Sequence, residues 1–92
     1  MTEIRWTPEA ADDLELITDY LLDHAGERAE DVVRSIYRAP LDLLTFPRRG
    51  RPGKKNGTRE FVLSGLPYVI VYRLQGEAIE VVRILHGKQR WP

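Results

Sequence analysis

The sequence predicts an α+β domain in which a helical hairpin covers one face of a small antiparallel sheet, in the order β-α-α-β-β-β. Apolar residues recur with helical spacing through the first half of the chain. The stretch 58–86 instead holds three runs rich in Val, Ile and Tyr, which favour strands. Turn residues separate these runs, Ser64-Gly65-Leu66-Pro67 and then Gln75-Gly76-Glu77, so we predict a three-stranded antiparallel meander.

Length and composition point to one small domain over residues 1–92. A chain of 92 residues that is 42% hydrophobic can build a single modest core. It has no cysteine, and its two histidines give no metal-ligand spacing, so we expect no metal and no cofactor. There is no signal-peptide pattern and no apolar run near the roughly 20 residues of a membrane span. We therefore expect a cytoplasmic protein with no membrane partner.

Charge is divided unevenly along the chain, although the net charge is zero. Residues 1–46 hold eleven acids and four arginines, a net charge of −7, and residues 47–92 hold ten bases and three acids, a net charge of +7. Such an asymmetry favours binding to a polyanion or to an acidic partner. The alternative is that the two halves pair with each other across the fold.

The first strand and the first helix have clear local signals. Glu3-Ile4-Arg5-Trp6 alternates like a short strand, and Thr7-Pro8 has the N-cap threonine and first-position proline that begin helices. Gly26 can end this helix in a left-handed conformation. The inner stripe of the helix is predicted to be Ala10, Leu14, Ile17 and Leu21. The row expected to face solvent is Asp12, Glu15, Asp19 and Asp23.

A second helix is predicted from about Glu27, antiparallel to the first because the connection is very short. Pro40 falls inside its pattern and should kink or split it, since proline removes a backbone hydrogen bond and clashes with the preceding turn. Phe46-Pro47 ends the helix. The predicted inner stripe consists of Ala29, Val32, Val33, Ile36 and Tyr37, continued by Leu41, Leu44 and Phe46.

Basic residues cluster in the loop that follows the helices and in the C-terminal tail. With a tail tryptophan they could form a cationic rim for nucleic acid or an acidic partner, although a solvated turn is the alternative. The candidate target-binding residues are Arg48, Arg49, Arg51, Lys54, Lys55, Lys88, Arg90 and Trp91.

Four residues of the strands could take part in metal-free cleavage of RNA, which requires a base, an acid and stabilisation of a phosphorane. These candidates are Arg59, Arg73, Arg83 and His86. A tight turn at Gly76-Glu77 would pair residue 73 with 80, 72 with 81 and 70 with 83. Arg73 and His86 would then share a face on the order of 20 Å apart, too far to act on one phosphate. A bulge or an extra loop residue would change these faces.

Three of these four side chains also have a purely structural explanation. Arg73 lies opposite Glu80 in the predicted register, so the two can form a cross-strand ion pair. Arg83 could be a partly buried base bound to an acid on a helix. His86 could be a strand-end histidine that bonds to the backbone.

Five segments together resemble the RelE/ParE superfamily, the toxins of type II toxin–antitoxin modules. In order they are W-T-P-E-A-A-D-D-L at 6–14, L-L-T-F-P-R-R-G at 43–50, T-R-E at 58–60, P-Y-V-I-V-Y-R at 67–73 and V-V-R-I-L-H-G at 81–87. The resemblance implies a small cytoplasmic toxin that is neutralised by a cognate antitoxin. We expect the antitoxin to lie across the helical hairpin and the sheet edge, with apolar anchors and with acids facing the basic half.

The superfamily has two mechanistic branches, and the resemblance implies different targets for them. RelE-like members cut mRNA on the ribosome without a metal, whereas ParE-like members poison DNA gyrase. RelE-like members typically carry an arginine on the third strand where this chain has Val69, so we favour the ParE-like branch. The alternatives are a metal-independent, ribosome-dependent endoribonuclease and an inactive module that only binds antitoxin.

Overall fold

The computed structural model describes residues 1–87 and confirms the α+β architecture, a helical layer packed on one face of a five-stranded sheet. Short 3-10 turns at Gly26–Arg28 and Ala39–Leu41 separate the three helices. No helix among these residues is long and apolar enough to cross a membrane. The elements are β1 (Glu3–Trp6), α1 (Pro8–His24), α2 (Ala29–Arg38), α3 (Asp42–Thr45), β2 (Arg51–Pro52), β3 (Thr58–Val62), β4 (Tyr68–Gln75) and β5 (Ala78–His86).

The strand order is β1-β5-β4-β3-β2, and β3, β4 and β5 form the expected antiparallel meander. The sheet as a whole is mixed, because β1 runs parallel to β5 from Glu3 opposite Ala78 to Trp6 opposite Val81. Turn residues in the sequence predict that consecutive strands joined by a turn pair with each other, but they do not predict which strand pairs with β1. The two-residue strand β2, which pairs with β3, lies within the segment predicted to be loop.

Both ends of α1 follow the predicted signals. The Thr7 hydroxyl accepts a hydrogen bond from the backbone N–H of Ala10 at 3.1 Å, as an N-cap does, and Pro8 is the first helical residue. Gly26 follows the helix with a φ of 56°, a left-handed conformation that favours glycine. The row of four acids on α1 is exposed, as predicted.

Pro40 divides the second helix, as the sequence predicts. The regular helix α2 ends at Arg38, and a 3-10 turn containing the buried Pro40 leads into α3. The predicted inner stripe is only partly right. Ala29 and Ile36 are buried, but Tyr37, Leu41 and Phe46 are 62%, 54% and 62% exposed. The 3-10 turn shifts the helical phase after Pro40, so a stripe continued straight through it misses the buried Leu43.

The main core lies between the helices and the sheet. On α1, Ala10 and Leu21 are buried and Leu14 and Ile17 pack against the core, which confirms that stripe. A second, much smaller cluster lies on the open face of the sheet, which the helices leave uncovered; it consists of Val71, Val82 and Leu85. The members of the main core on α2, α3 and the strands include Ile36, Leu43, Ile70, Tyr72, Ile79, Val81 and Ile84.

A β-bulge in β5 changes the predicted strand register. Arg73 lies opposite Glu80 and Tyr72 opposite Val81, as predicted, but the register then shifts so that Val71 faces Arg83. The predicted pair of Ile70 with Arg83 is therefore wrong. Val82 is the additional residue, and its carbonyl accepts a hydrogen bond from the Thr7 hydroxyl at 2.9 Å. The start of α1 thus satisfies backbone groups of β5 beyond the point where β1 ends.

Candidate functional site

The four candidate catalytic side chains do not converge on one point. Arg73 forms an ion pair with Glu80, the strand neighbour directly opposite it. His86 lies opposite Tyr68, at the other end of β4 and about 16 Å away at the usual rise per residue. Within residues 1–87, no group of three His, Cys, Asp or Glu side chains could hold a metal ion. The catalytic roles of these residues stay a prediction.

Arg83 is bound by an acid on α1, which is the structural role predicted for it as an alternative to catalysis. Its Nε lies 2.6 Å from Asp13 Oδ2, and its Nη2 lies 3.0 Å from Oδ1. The hydrogen bond to Asp13 raises the pKa of Arg83 above its ordinary value, and burial acts in the opposite direction. Asp13 also accepts a hydrogen bond from the backbone N–H of Ile84 at 2.9 Å. Asp13 therefore fastens α1 to β5.

Arg59 and His86 also make contacts within the fold. Arg59 donates to the carbonyl oxygens of Gly50 at 2.8 Å and of Arg48 at 3.1 Å, and so holds the basic loop against β3. The His86 ring meets the Tyr68 ring edge-on, with centroids 5.9 Å apart. Burial raises the pKa of Tyr68, and the nearby Tyr20 adds to the shift, so the Tyr68 phenol is neutral at physiological pH.

The candidate target-binding residues of the loop are partly engaged by acids of the chain itself. Arg49 lies 3.6 Å from Asp42 and stacks over the Phe61 ring, and Arg51 lies 3.1 Å from Glu60. Arg48 and Lys54 are exposed, and Lys55 is exposed too but has a partner within the structure. Three further candidates, Lys88, Arg90 and Trp91, lie outside the described residues. Whether the loop and tail form one target-binding rim therefore stays a prediction.

A groove runs between α2–α3 and the outer edge of the sheet, and we name it the edge groove. Its lining carries three arginines and two aspartates, together with the apolar side chains of Phe61 and Val62. The aspartates, Asp31 and Asp42, pair with Arg34 and Arg49, which leaves the positive charge of Arg28 and Arg38 uncompensated by an ion pair among residues 1–87. Among the described residues, β2 pairs only with Arg59 and Glu60, so the outer edge of β3 is open at Val62, which is 52% exposed. This edge therefore offers backbone hydrogen-bonding groups beside a positively charged rim.

A second concavity, the aromatic cleft, lies between α1, the β3–β4 turn and the end of β5. Its lining includes Leu16, Tyr20, Tyr68 and His86, and it shares Val32 and Leu66 with the edge groove. Leu16 and Tyr20 are 69% and 56% exposed. The two concavities are thus adjacent, with Val32 and Leu66 lining both. Sequence reasoning missed this cleft, although large apolar residues among the acids of α1 were a signal for a second apolar face.

Comparisons with known proteins agree with this geometry. The family model of the ParE toxin of the type II toxin–antitoxin system parDE matches residues 4–91. The toxin candidate Y4kP of Sinorhizobium fredii is 38% identical over 89 residues, which cover 97% of this chain and 92% of that protein. A solved chain of the chromosomal ParDE toxin–antitoxin system from P. aeruginosa superposes with a TM-score of 0.80 at 31% identity, covering 94% of this chain and 96% of that one.

A helical hairpin on a small mixed sheet, with an open sheet edge and a groove beside it, defines a toxin of the RelE/ParE superfamily. Because the family model and the solved structure both match over nearly the whole chain, the particular branch is also determined. The chain belongs to the ParE toxin family of type II toxin–antitoxin systems, and a cognate antitoxin is its partner.

Proposed function

We propose that this toxin acts in the cytoplasm by inhibiting DNA gyrase, the target that the ParE-like resemblance implies. The observation that carries the proposal is that the strand positions on which RNA cleavage would depend hold either an apolar residue or an arginine that is already in an ion pair. Val69 occupies the position at which RelE-like members typically carry an arginine, and it lies on the open face of the sheet. Arg73 and Arg83 are committed to ion pairs with Glu80 and Asp13.

These ion pairs argue against RNA cleavage, because an arginine that stabilises the phosphorane must be free to reach it. Withdrawing Arg83 from Asp13 would leave a carboxylate whose side chain is only 13% exposed without its partner. The arrangement therefore supports inhibition by protein contact over cleavage of RNA. In a direct comparison, purified toxin should inhibit DNA supercoiling by gyrase and leave mRNA on programmed ribosomes intact. Cleaved mRNA together with unimpaired supercoiling would favour the endonuclease alternative.

The antitoxin is proposed to lie in the edge groove and the aromatic cleft. Arg28 and Arg38 have no ion-pair partner among the described residues, so acidic side chains of the antitoxin would find two available guanidinium groups. An extended antitoxin segment could add to β3 at its open edge. Leu16, Tyr20 and Tyr68 would then receive its apolar anchors, because the cleft adjoins the groove at Val32 and Leu66.

Antitoxin affinity of a double variant tests this placement. Replacing Arg28→Gln and Arg38→Gln should weaken binding about three- to tenfold at low salt and reduce its salt dependence, since each exposed ion pair contributes on the order of 0.2–1 kcal/mol. The measurement is a titration of toxin with antitoxin at several salt concentrations. The control, Arg5→Gln with Arg73→Gln, removes the same charge at residues that, like their ion-pair partners Glu3 and Glu80, do not line the groove, and it should leave affinity unchanged. Equal losses in both variants, or a complex indifferent to salt, would contradict the placement.

A further inference from the structure

We propose that the opposite side of the helical hairpin carries a second docking surface, the outer groove, for a basic amphipathic segment of a protein other than the antitoxin. The outer groove lies between α1 and α2 beside the end of β1, and its lining includes Trp6, Leu14, Glu15, Asp19 and Tyr37. It shares none of these residues with the edge groove or the aromatic cleft.

The floor of the outer groove is aromatic and apolar. The Trp6 and Tyr37 rings are stacked, with centroids 5.8 Å apart and planes 20° from parallel. Leu14 and Ala11 complete the apolar lining. Tyr37 is 62% exposed although it sits at the edge of the inner stripe of α2. A concave aromatic floor of this kind suits a large apolar anchor from a partner chain.

The rim of the outer groove is acidic and uncompensated. The helix α1 carries six acids and no lysine or arginine, and Asp13 alone among them has a salt-bridge partner in the described part of the chain. Glu15 and Asp19 line the groove, and Asp23 continues their row one turn further. Like charges at this spacing destabilise a helix, and no salt bridge among residues 1–87 reduces that repulsion at Glu15, Asp19 or Asp23.

Charge and shape together define the occupant. A helical segment with lysines or arginines one turn apart would place its positive charges against Glu15 and Asp19 while an apolar side chain packs onto the surface of the stacked Trp6 and Tyr37 rings. An acidic antitoxin segment suited to Arg28 and Arg38 would be repelled by this rim. The two surfaces can therefore be occupied at the same time by different proteins.

A stapled helical peptide tests the proposal, with lysines one turn apart along one side and leucines along the adjoining side. It is titrated into isotopically labelled toxin, and amide shifts are followed by NMR. We expect the largest shifts at Ala11, Thr18 and Tyr37, weakening with added salt, and much weaker binding of a peptide with glutamates in place of the lysines. Absence of shifts at the outer groove, or equal binding of both peptides, would overturn the proposal.

Variants of the toxin, and the toxin–antitoxin complex, show whether the peptide binds at the outer groove. Glu15→Gln with Asp19→Asn should weaken the lysine peptide about three- to tenfold at low salt, and Tyr37→Ala should also weaken it. The control, Glu27→Gln with Glu77→Gln, removes the same charge elsewhere and should bind like the unaltered toxin. The toxin–antitoxin complex should bind the peptide as well as free toxin does. If the antitoxin blocks the peptide, the outer groove belongs to the antitoxin and the proposal fails, whatever the toxin's target is.

Discussion

Two polar side chains form hydrogen bonds between segments of the fold that are far apart in the sequence. Asp13 accepts hydrogen bonds from two nitrogens of Arg83 and from the backbone of Ile84, and so joins α1 to β5. The buried Tyr72 hydroxyl donates to the Pro47 carbonyl at 2.7 Å and accepts from the Gly50 N–H at 2.9 Å. The first residue anchors the helical layer, and the second anchors the start of the basic loop.

Replacing Asp13→Asn should lower the free energy of unfolding by about 1–3 kcal/mol, because it removes the charge that compensates a half-buried guanidinium. Urea denaturation measures the change. Asp12→Asn is the matched control, since Asp12 is exposed and unpaired in the described structure, and its effect should stay within about 0.5 kcal/mol. Similar losses in the two variants would show that the contact with Arg83 contributes nothing.

Replacing Tyr72→Phe should lower the free energy of unfolding by about 1–3 kcal/mol, since it leaves the buried Gly50 N–H and the partly buried Pro47 carbonyl without their partner. It should also speed hydrogen exchange at the Gly50 amide, which bonds directly to the lost hydroxyl. Tyr37→Phe removes a hydroxyl from an exposed side chain and serves as the control. Unchanged exchange at Gly50 would contradict the assigned role of Tyr72.

At the scale of elements, the sequence predicted those features that depend on neighbouring residues. The Thr7-Pro8 helix start, the helix division at Pro40 and the meander are local signals, and all three are confirmed. The bulge at Val82 coincides with a hydrogen bond from Thr7, some 75 residues away along the chain, and the strand sequence alone does not predict such a contact. The parallel β1 likewise depends on where the helices cross the sheet.

The turn between α1 and α2 gives a test at this scale. Gly26 has a φ of 56°, and a Cβ there would meet nothing within 4 Å, so backbone conformation alone should set the cost of substitution. Gly26→Ala should destabilise the fold by about 1 kcal/mol, and Gly26→Asn by less, because asparagine adopts the left-handed region more readily. Thermal unfolding of the two variants measures the difference. A cost for alanine no larger than that for asparagine would contradict this explanation.

For the whole molecule, the division of charge between the two halves is the main organising property. Part of it is neutralised internally, as in the Asp13–Arg83 and Asp42–Arg49 contacts. What remains is an acidic row on α1 in the first half and exposed bases such as Arg48 and Lys54 in the second half. The two available arginines of the edge groove, Arg28 and Arg38, belong to the acidic half. The sequence predicted a helical hairpin and sheet edge as the antitoxin's binding surface, but not the grooves themselves. They arise from packing between distant elements, so the one local signal, large apolar residues such as Leu16 and Tyr20 among the acids of α1, does not predict which elements complete each groove.

An assay of DNA supercoiling by gyrase tests the central claim most directly. The purified toxin should inhibit supercoiling, and its antitoxin should restore it. The Arg28→Gln and Arg38→Gln double variant should inhibit equally well but require about three- to tenfold more antitoxin for relief at low salt. Excess toxin that produces neither inhibition of supercoiling nor a gyrase–DNA cleavage complex would contradict the proposed action on gyrase.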